Sequence, residues 1–301
     1  MLSRRHRFYL FKLLSLFSVV RGYNILVITL AQYLTAIYIL APDWPLRKVV
    51  FDENLFFIVT TSAMVIAAGY IINNFYDAEK DLINKPAKSM LDRLVSQRFK
   101  LTTYFILNFL AVIAASYISF RAVFFFSAYI FGIWLYSHKL KRIPFLGNLV
   151  SAILAITPFF AVFVYYKNFE TVIFVHAVFL FLLILARELI KDLESMAGDM
   201  AQNYKTIPIL YGQKTSKLLI GLLALLTLIP AYLLITKFEV GYMYLYFGGC
   251  IVLLILFLFM LVKAHSKKHF IWLHNILKLV IIVGVLSILL IDVDLVLNRI
   301  L

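Results

Sequence analysis

Two stretches of the chain concentrate oxygen donors at helical spacing. The first reads Asn73-Asn74-Phe75-Tyr76-Asp77-Ala78-Glu79-Lys80-Asp81, with Asn73, Asp77 and Asp81 separated by four and four. On a continuous helix these three project from one face. The second runs from Arg187 to Asp199. There Glu188, Asp192, Ser195 and Asp199 step by four, three and four, beside a stripe of Arg187, Lys191 and Glu194. With Asp92, these neighbourhoods hold eight of the 15 acidic residues. Clustered carboxylates repel one another and call for a cation. Hard oxygen donors suit Mg2+, which takes one or two carboxylates and fills its shell with water and substrate phosphate. Lys85, Lys88, Arg93, Arg187 and Lys191 offer positive charge to the same phosphate. The competing reading is a pair of solvated helix ends with capping acids, which the repeated layout disfavours. The 115-residue spacing of Asp77 and Asp192 hints at an internal duplication.

The elements that carry these stretches are membrane spans. The chain is 301 residues long, 63% hydrophobic and 15% charged, against roughly 45–50% and 25% in soluble domains. This excludes a soluble enzyme, a disordered chain and a coiled coil. Apolar runs at 15–41, 54–76, 101–119, 121–137, 146–166, 170–190, 216–236, 241–262 and 271–291 predict an all-α polytopic bundle of about nine transmembrane helices. The chain reads as one domain over 1–301. Its net charge of +14 implies membrane topology, not nucleic acid. With the N-terminus inside, 21 of the 29 bases fall in loops on one side and six on the other, so the N-terminus and both acidic stretches are expected on the cytoplasmic face of the cell (inner) membrane. The basic start, with Arg4, Arg5 and Arg7, reads as the flank of an uncleaved first helix. The single Cys250 excludes a disulfide framework within the chain and a thiolate metal cluster. His265 and His269, spaced by four with His274 beyond, read as part of a basic loop at the lipid headgroups in preference to a zinc site. Asn275 and Lys278 are expected to snorkel or to face the bundle interior, His176 to be a packed polar residue, and Asp292 and Asp294 to lie at a solvated terminus.

At its acidic stretches the sequence resembles the UbiA family of intramembrane prenyltransferases. The first family motif, Asn-Asp-x-x-Asp-x-x-x-Asp followed by Asn-x-Pro, corresponds to Asn73–Asp81 and Asn84-Lys85-Pro86. The second, ending in Asp-x-x-x-Asp before basic, Thr, Pro and Gly positions, corresponds to Ser195–Asp199 followed by Lys205-Thr206-Ile207-Pro208 and Gly212. Tyr136-Ser137, Leu140-Lys141-Arg142, Gly147-Asn148 and the polar Arg21, Asn24 and Gln32 of the first span also fit. Asn74 and Ser195 stand where the family has Asp, and Lys88 where it has Arg. An amide oxygen at Asn74 still ligates or hydrogen-bonds. A hydroxyl at Ser195 is a poor substitute for a carboxylate, which Asp192 replaces from one turn earlier.

The resemblance implies Mg2+-dependent transfer of a prenyl group from a prenyl diphosphate. Asn73, Asp77 and Asp81 would serve one metal, and Asp192, Ser195 and Asp199 another. Asp77, Asp81 and Asp199 would be catalytic, with Tyr136 and Tyr76 stabilising an allylic cation through their ring faces. Arg21, Asn24, Lys85, Lys88, Arg93, Lys141, Arg187 and Lys191 would bind substrate, and the tail would lie in an apolar tunnel. The nearest-looking branch alkylates geranylgeranylglycerol phosphate, a step of ether-lipid synthesis. Aromatic acceptors of quinone synthesis stay open, as do a cation-coupled carrier and a non-catalytic scaffold.

Overall fold

The computed structural model describes residue 12 and residues 14–293. Arg4, Arg5, Arg7, Asp294 and Arg299 lie outside the described residues. Among those described, nine helices are long and apolar enough to cross a membrane, and none of the secondary structure is strand. They are Gly22–Leu40, Glu53–Tyr76, Gln97–Ile118, Phe120–His138, Leu146–Tyr166, Thr171–Ala201, Ile207–Thr236, Gly241–Lys263 and Lys267–Leu290. The chain is an integral membrane protein with an all-helical bundle fold.

Sequence sets the helix ends by local capping. Asp52 opens the second span, its Oδ1 accepting from the amides of Asn54 at 2.9 Å and Leu55 at 3.2 Å. Ser96, Ser119 and Ser266 cap the third, fourth and ninth spans in the same way. Ser119 alone, fully extended, turns the chain between the third and fourth. Apolar side chains cover these helices on all sides, and Phe105, Phe109, Phe120 and Phe124 point outward to lipid.

Three apolar clusters fill the interior, the smallest around Ala68, Ile71 and Tyr104, and the two larger ones divide the rest. One packs the first five spans around Leu55, Ala111, Phe126 and Val162. The other packs the sixth to ninth around Leu183, Ile220, Phe247 and Leu277. Between them Gln32, 1% exposed, donates to Ser62 Oγ at 3.2 Å and to the Pro158 carbonyl at 2.9 Å.

The sixth span carries the second acidic stretch well past the bilayer core. Its 31 residues extend about 46 Å, against a hydrocarbon thickness of about 30 Å. The second span breaks at Asp77, whose backbone angles (φ −94°, ψ 6°) leave the helical region. The chain continues through two short helices, Ala78–Asn84 and Pro86–Asp92, which cover that end of the bundle. The single continuous face expected for Asn73, Asp77 and Asp81 is therefore bent at its middle residue.

Candidate active site

Asn84 and Gly198 bring the two acidic stretches together. Asn84 Nδ2 donates to the Ser195 carbonyl at 3.1 Å, and its Oδ1 accepts from the Gly198 amide at 3.1 Å. The approach is so close that a Cβ at position 198 would lie 2.8 Å from the Lys80 carbonyl oxygen and closer still to the Asn84 amide. Glycine is required there for space. At Gly212 it is required for conformation: φ of +81° breaks the seventh span near its start.

The carboxylates meet cations across this contact. Lys141 Nζ donates to Asp77 Oδ1 at 2.7 Å and to Asn73 Oδ1 at 3.2 Å. Lys80 Nζ lies 2.5 Å from Asp199 Oδ1. Tyr204, in the turn after the sixth span, donates its hydroxyl to Asp77 Oδ1 at 3.2 Å. Lys80, Arg142 and Lys141 stand 4.7, 4.9 and 6.0 Å from the Tyr204 ring centre. Three cations thus face two carboxylates and leave local positive charge for an anion.

These neighbours tune the protons outside the spans. Burial pushes Asp77 upward, but the Lys141 and Lys80 charges outweigh it and hold the carboxyl below its usual range. Burial and the Asp77 charge together raise Asp81. Burial lowers Lys141 to about 8 against the pull of Asp77. Lys80 is held at about 12, because Asp77 and Asp199 overcome its burial. Tyr204 is pushed up to about 12 by burial and the Asp77 charge.

The second stretch is positioned against the fifth span. Asp192 Oδ2 accepts from Asn148 Nδ2 at 2.7 Å. Glu188 accepts from Ser151 at 2.9 Å and pairs with Lys191 at 2.5 Å and Arg187 at 3.1 Å. Ser195 Oγ donates to Asp199 Oδ2 at 3.0 Å, so the hydroxyl that replaces a family carboxylate supports Asp199. Tyr136 lies near Ser151, Glu188 and Lys191. Tyr76 lies 5.9 Å from Lys141.

The donor set fits a hard divalent cation. Asn73 and Asp77 already share one cationic partner in Lys141, so both oxygens reach a single positive centre. Asp199 is fully buried, and its Oδ1 meets Lys80 as an ion pair while accepting no directional hydrogen bond. Among the described residues no three His, Cys, Asp or Glu side chains gather closely enough to cage a metal. Mg2+ takes one or two carboxylates and draws much of its shell from water and phosphate.

The other expected residues divide. Arg21, left-handed at φ +50°, places its guanidinium 5.1 Å from the Tyr70 ring centre, and Asn24 donates to the Tyr70 hydroxyl at 3.2 Å. Arg21 is also close enough to act electrostatically on Asp81. Lys85 pairs with Glu194 at 3.3 Å, and Arg93 pairs with Glu79 at 3.4 Å on the exposed surface. Lys88 pairs with Asp92 at 2.9 Å.

Of the two roles open to Asn74, the structure shows hydrogen bonding, away from Asp77 and Asp199: its Oδ1 accepts from Lys100 Nζ at 2.8 Å, and its Nδ2 donates to Asp92 at 2.9 Å. Adjacent positions on a helix lie about 100° apart, so Asn73 and Asn74 address different neighbours. The ninth span opens at Lys267, so it takes in His269 as well as His274 and leaves His265 before it. His274 is within the ninth span and hydrogen-bonds Glu194 at 2.8 Å, while Lys278 reaches the Tyr23 ring at 4.5 Å. The sequence reading missed Lys80, Lys100 and Tyr204 as site or support residues. Lys80 was visible inside the first stretch, but only as one more loop base.

An apolar cavity of about 340 Å3 lies deeper in the bundle, between the first, fifth, sixth, eighth and ninth spans. Ala31, Phe159, Leu183, Phe247 and Gly284 are among its walls. Leu183 is five residues before Glu188, about 7.5 Å along the helix.

Fold and site together define an intramembrane bundle with paired acidic stretches at one end and an apolar cavity beneath. Residues 29–280 match the UbiA prenyltransferase family, and the chain belongs to that family. It is 37% identical over 175 residues to digeranylgeranylglyceryl phosphate synthase of Thermococcus sibiricus, spanning 58% of this chain and 61% of that protein's length. It is 32% identical over 213 residues to the protein of that name from Methanobrevibacter smithii, spanning 67% and 71%. A solved structure of digeranylgeranylglyceryl phosphate synthase superposes with a TM-score of 0.69 at 23% identity, covering 92% of this chain and 97% of the other. A UbiA homolog from Archaeoglobus fulgidus bound to GPP and Mg2+ gives 0.65 at 14% identity, covering 91% and 99%. At these identities the structures establish the fold.

Proposed function

We propose that this protein is a Mg2+-dependent prenyltransferase that moves a prenyl group from a prenyl diphosphate to geranylgeranylglycerol phosphate, with the whole chain acting as one domain. The observation that carries the reading is the convergence of Asn73, Asp77 and Asp199 with Lys80 and Lys141 at one membrane end. The similarity to digeranylgeranylglyceryl phosphate synthases supports the acceptor class.

Asn73, Asp77 and Asp81 would hold one Mg2+, and Asp192 and Asp199, with Ser195 behind Asp199, the other. Bound Mg2+ supplies Lewis-acid neutralisation of the diphosphate. Lys141 and Arg142 add charge against the same leaving group, which preorganised cations stabilise as negative charge develops. The allylic carbon–oxygen bond breaks and diphosphate departs with the electron pair. The acceptor hydroxyl oxygen bonds to the allylic carbon and loses its proton to water at the open end. Tyr76 and Tyr136 present ring faces to the allylic cation. The cavity below Glu188 receives apolar chain. The bias of loop bases supports a cytoplasmic N-terminus and site. Acids gathered at one membrane end, away from mid-span, favour an enzyme over a cation-coupled carrier.

The test is transfer by purified protein in detergent from radiolabelled geranylgeranyl diphosphate, with geranylgeranylglycerol phosphate and an aromatic acid offered separately. Labelled ether lipid that EDTA abolishes is the expected result. Product on the aromatic acid alone would move the protein to the quinone branch, and no product with either would reject the reaction.

A further inference from the structure

Each acidic stretch is held by a residue belonging to the other. Lys80, from the first stretch, reaches Asp199 of the second at 2.5 Å. Tyr204, five residues beyond the second stretch's last acid, returns its hydroxyl to Asp77 of the first at 3.2 Å. The two arms touch, because Lys80 Nζ also stands 4.7 Å from the Tyr204 ring centre.

The local chain is built to make this contact. Asn203 adopts a left-handed conformation at φ +53°, which ends the sixth span and turns the chain back under it. The Tyr204 amide then donates to the Asp199 carbonyl at 2.9 Å, and the Lys205 amide donates to the Arg142 carbonyl at 3.1 Å. Tyr204 is left 3% exposed between two neighbours that are both exposed. A buried tyrosine with its hydroxyl on a carboxylate and cations at its face is a polar joint, since ring and hydroxyl each find their preferred partner.

We propose that Tyr204 and Lys80 are positioning residues that clasp the two acidic stretches into one unit for magnesium diphosphate. The inference rests on the proposed reaction only for the identity of the ligand. Through its hydroxyl Tyr204 fixes Asp77, and through its ring it holds Lys80 where it reaches Asp199. Lys80 in turn fixes Asp199. Each arm removes one support from its own carboxylate, beside Lys141 on Asp77 and Ser195 on Asp199, and loosens the other arm through the ring contact, so the two residues contribute as a couple.

The experiment measures binding of inorganic pyrophosphate to the full-length protein in detergent, titrated with Mg2+. The proteins are wild type, Tyr204→Phe, Lys80→Met, the double variant and Lys80→Arg. Tyr204→Phe keeps the ring and removes only the hydroxyl. It is expected to raise the Mg2+ needed for half-saturation about tenfold, the size of a hydrogen bond to a charged group. Lys80→Met is expected to do at least as much, with Lys80→Arg restoring most of the loss. The double variant should be no weaker than Lys80→Met alone within about threefold, because the second change acts on a clasp already open. Melting temperatures within a few degrees of wild type would confine the effect to the site. Multiplying effects in the double variant, or an unchanged Mg2+ requirement in Tyr204→Phe, would overturn the proposal. Prenyl transfer is assayed in parallel on the wild type, so its failure would reject the reaction without altering the binding comparison.

Discussion

Asn73 shares Lys141 with Asp77, whereas Asn74, next in sequence, joins Lys100 to Asp92. The two networks draw on the same residue types and lie on different faces of one helix. Around Asn74 the polar groups are matched. Asp92, 3% exposed, accepts from Ser18 at 2.8 Å, Asn74 at 2.9 Å and Lys88 at 2.9 Å, while Lys100 is 2% exposed. This network ties the chain before the first span to the second span, the third span and the short helix Pro86–Asp92. Around Asn73 the groups are unbalanced. Asp77 and Asp81 repel, Asp199 keeps an oxygen without a hydrogen bond, and three cations crowd one ring. A satisfied buried network supports a fold, and an unsatisfied charged one is poised for a ligand.

Four substitutions test that division, beginning with the largest effect. Asp77→Ala should lower prenyl transfer about a thousandfold, as loss of a preorganised electrostatic group does. Circular dichroism should show an unchanged helical content. Asp92→Ala should cost about 3 kcal/mol of stability by stranding Lys88, Asn74 and Ser18 together. A fall in melting temperature would report it, with kcat per folded molecule retained. Gly198→Ala should cost about 1–3 kcal/mol, because the new methyl meets Asn84 and the Lys80 carbonyl. It should also weaken Mg2+-dependent transfer by separating the stretches. Asn74→Asp should have the smallest effect on metal: the new acid faces Lys100, so the Mg2+ concentration for half-maximal transfer should stay within about twofold of wild type. A clear tightening would put Asn74 in the metal site and erase the division.

Much of this was legible from the residues. Apolar runs marked all nine spans, since each helix must bury its own backbone in lipid and is apolar all round. The four-residue spacing marked both acidic stretches. The family followed from motif resemblance. What stayed hidden was which way each polar side chain turns. Lys100 read as a loop base, yet it opens the third span and is buried. Asn74 stayed open between ligation and hydrogen bonding because its position in the motif, not its neighbours, was visible. The break at Asp77 bends the expected face, and no periodicity announces it. Tyr204 meets Asp77 across 127 residues, a contact that depends on the left-handed turn at Asn203 and on the glycine that lets Asn84 dock.

The most direct measurement is formation of labelled ether lipid across a Mg2+ titration by wild type, Asn73→Ala and Asn74→Ala, each normalised to folded protein. The account predicts product from the wild type, a Mg2+ requirement raised about tenfold or more in Asn73→Ala, and an unshifted requirement in Asn74→Ala. It would be contradicted by a wild type that forms no ether lipid at any Mg2+ concentration, or by a shift in Asn74→Ala while Asn73→Ala behaves as wild type.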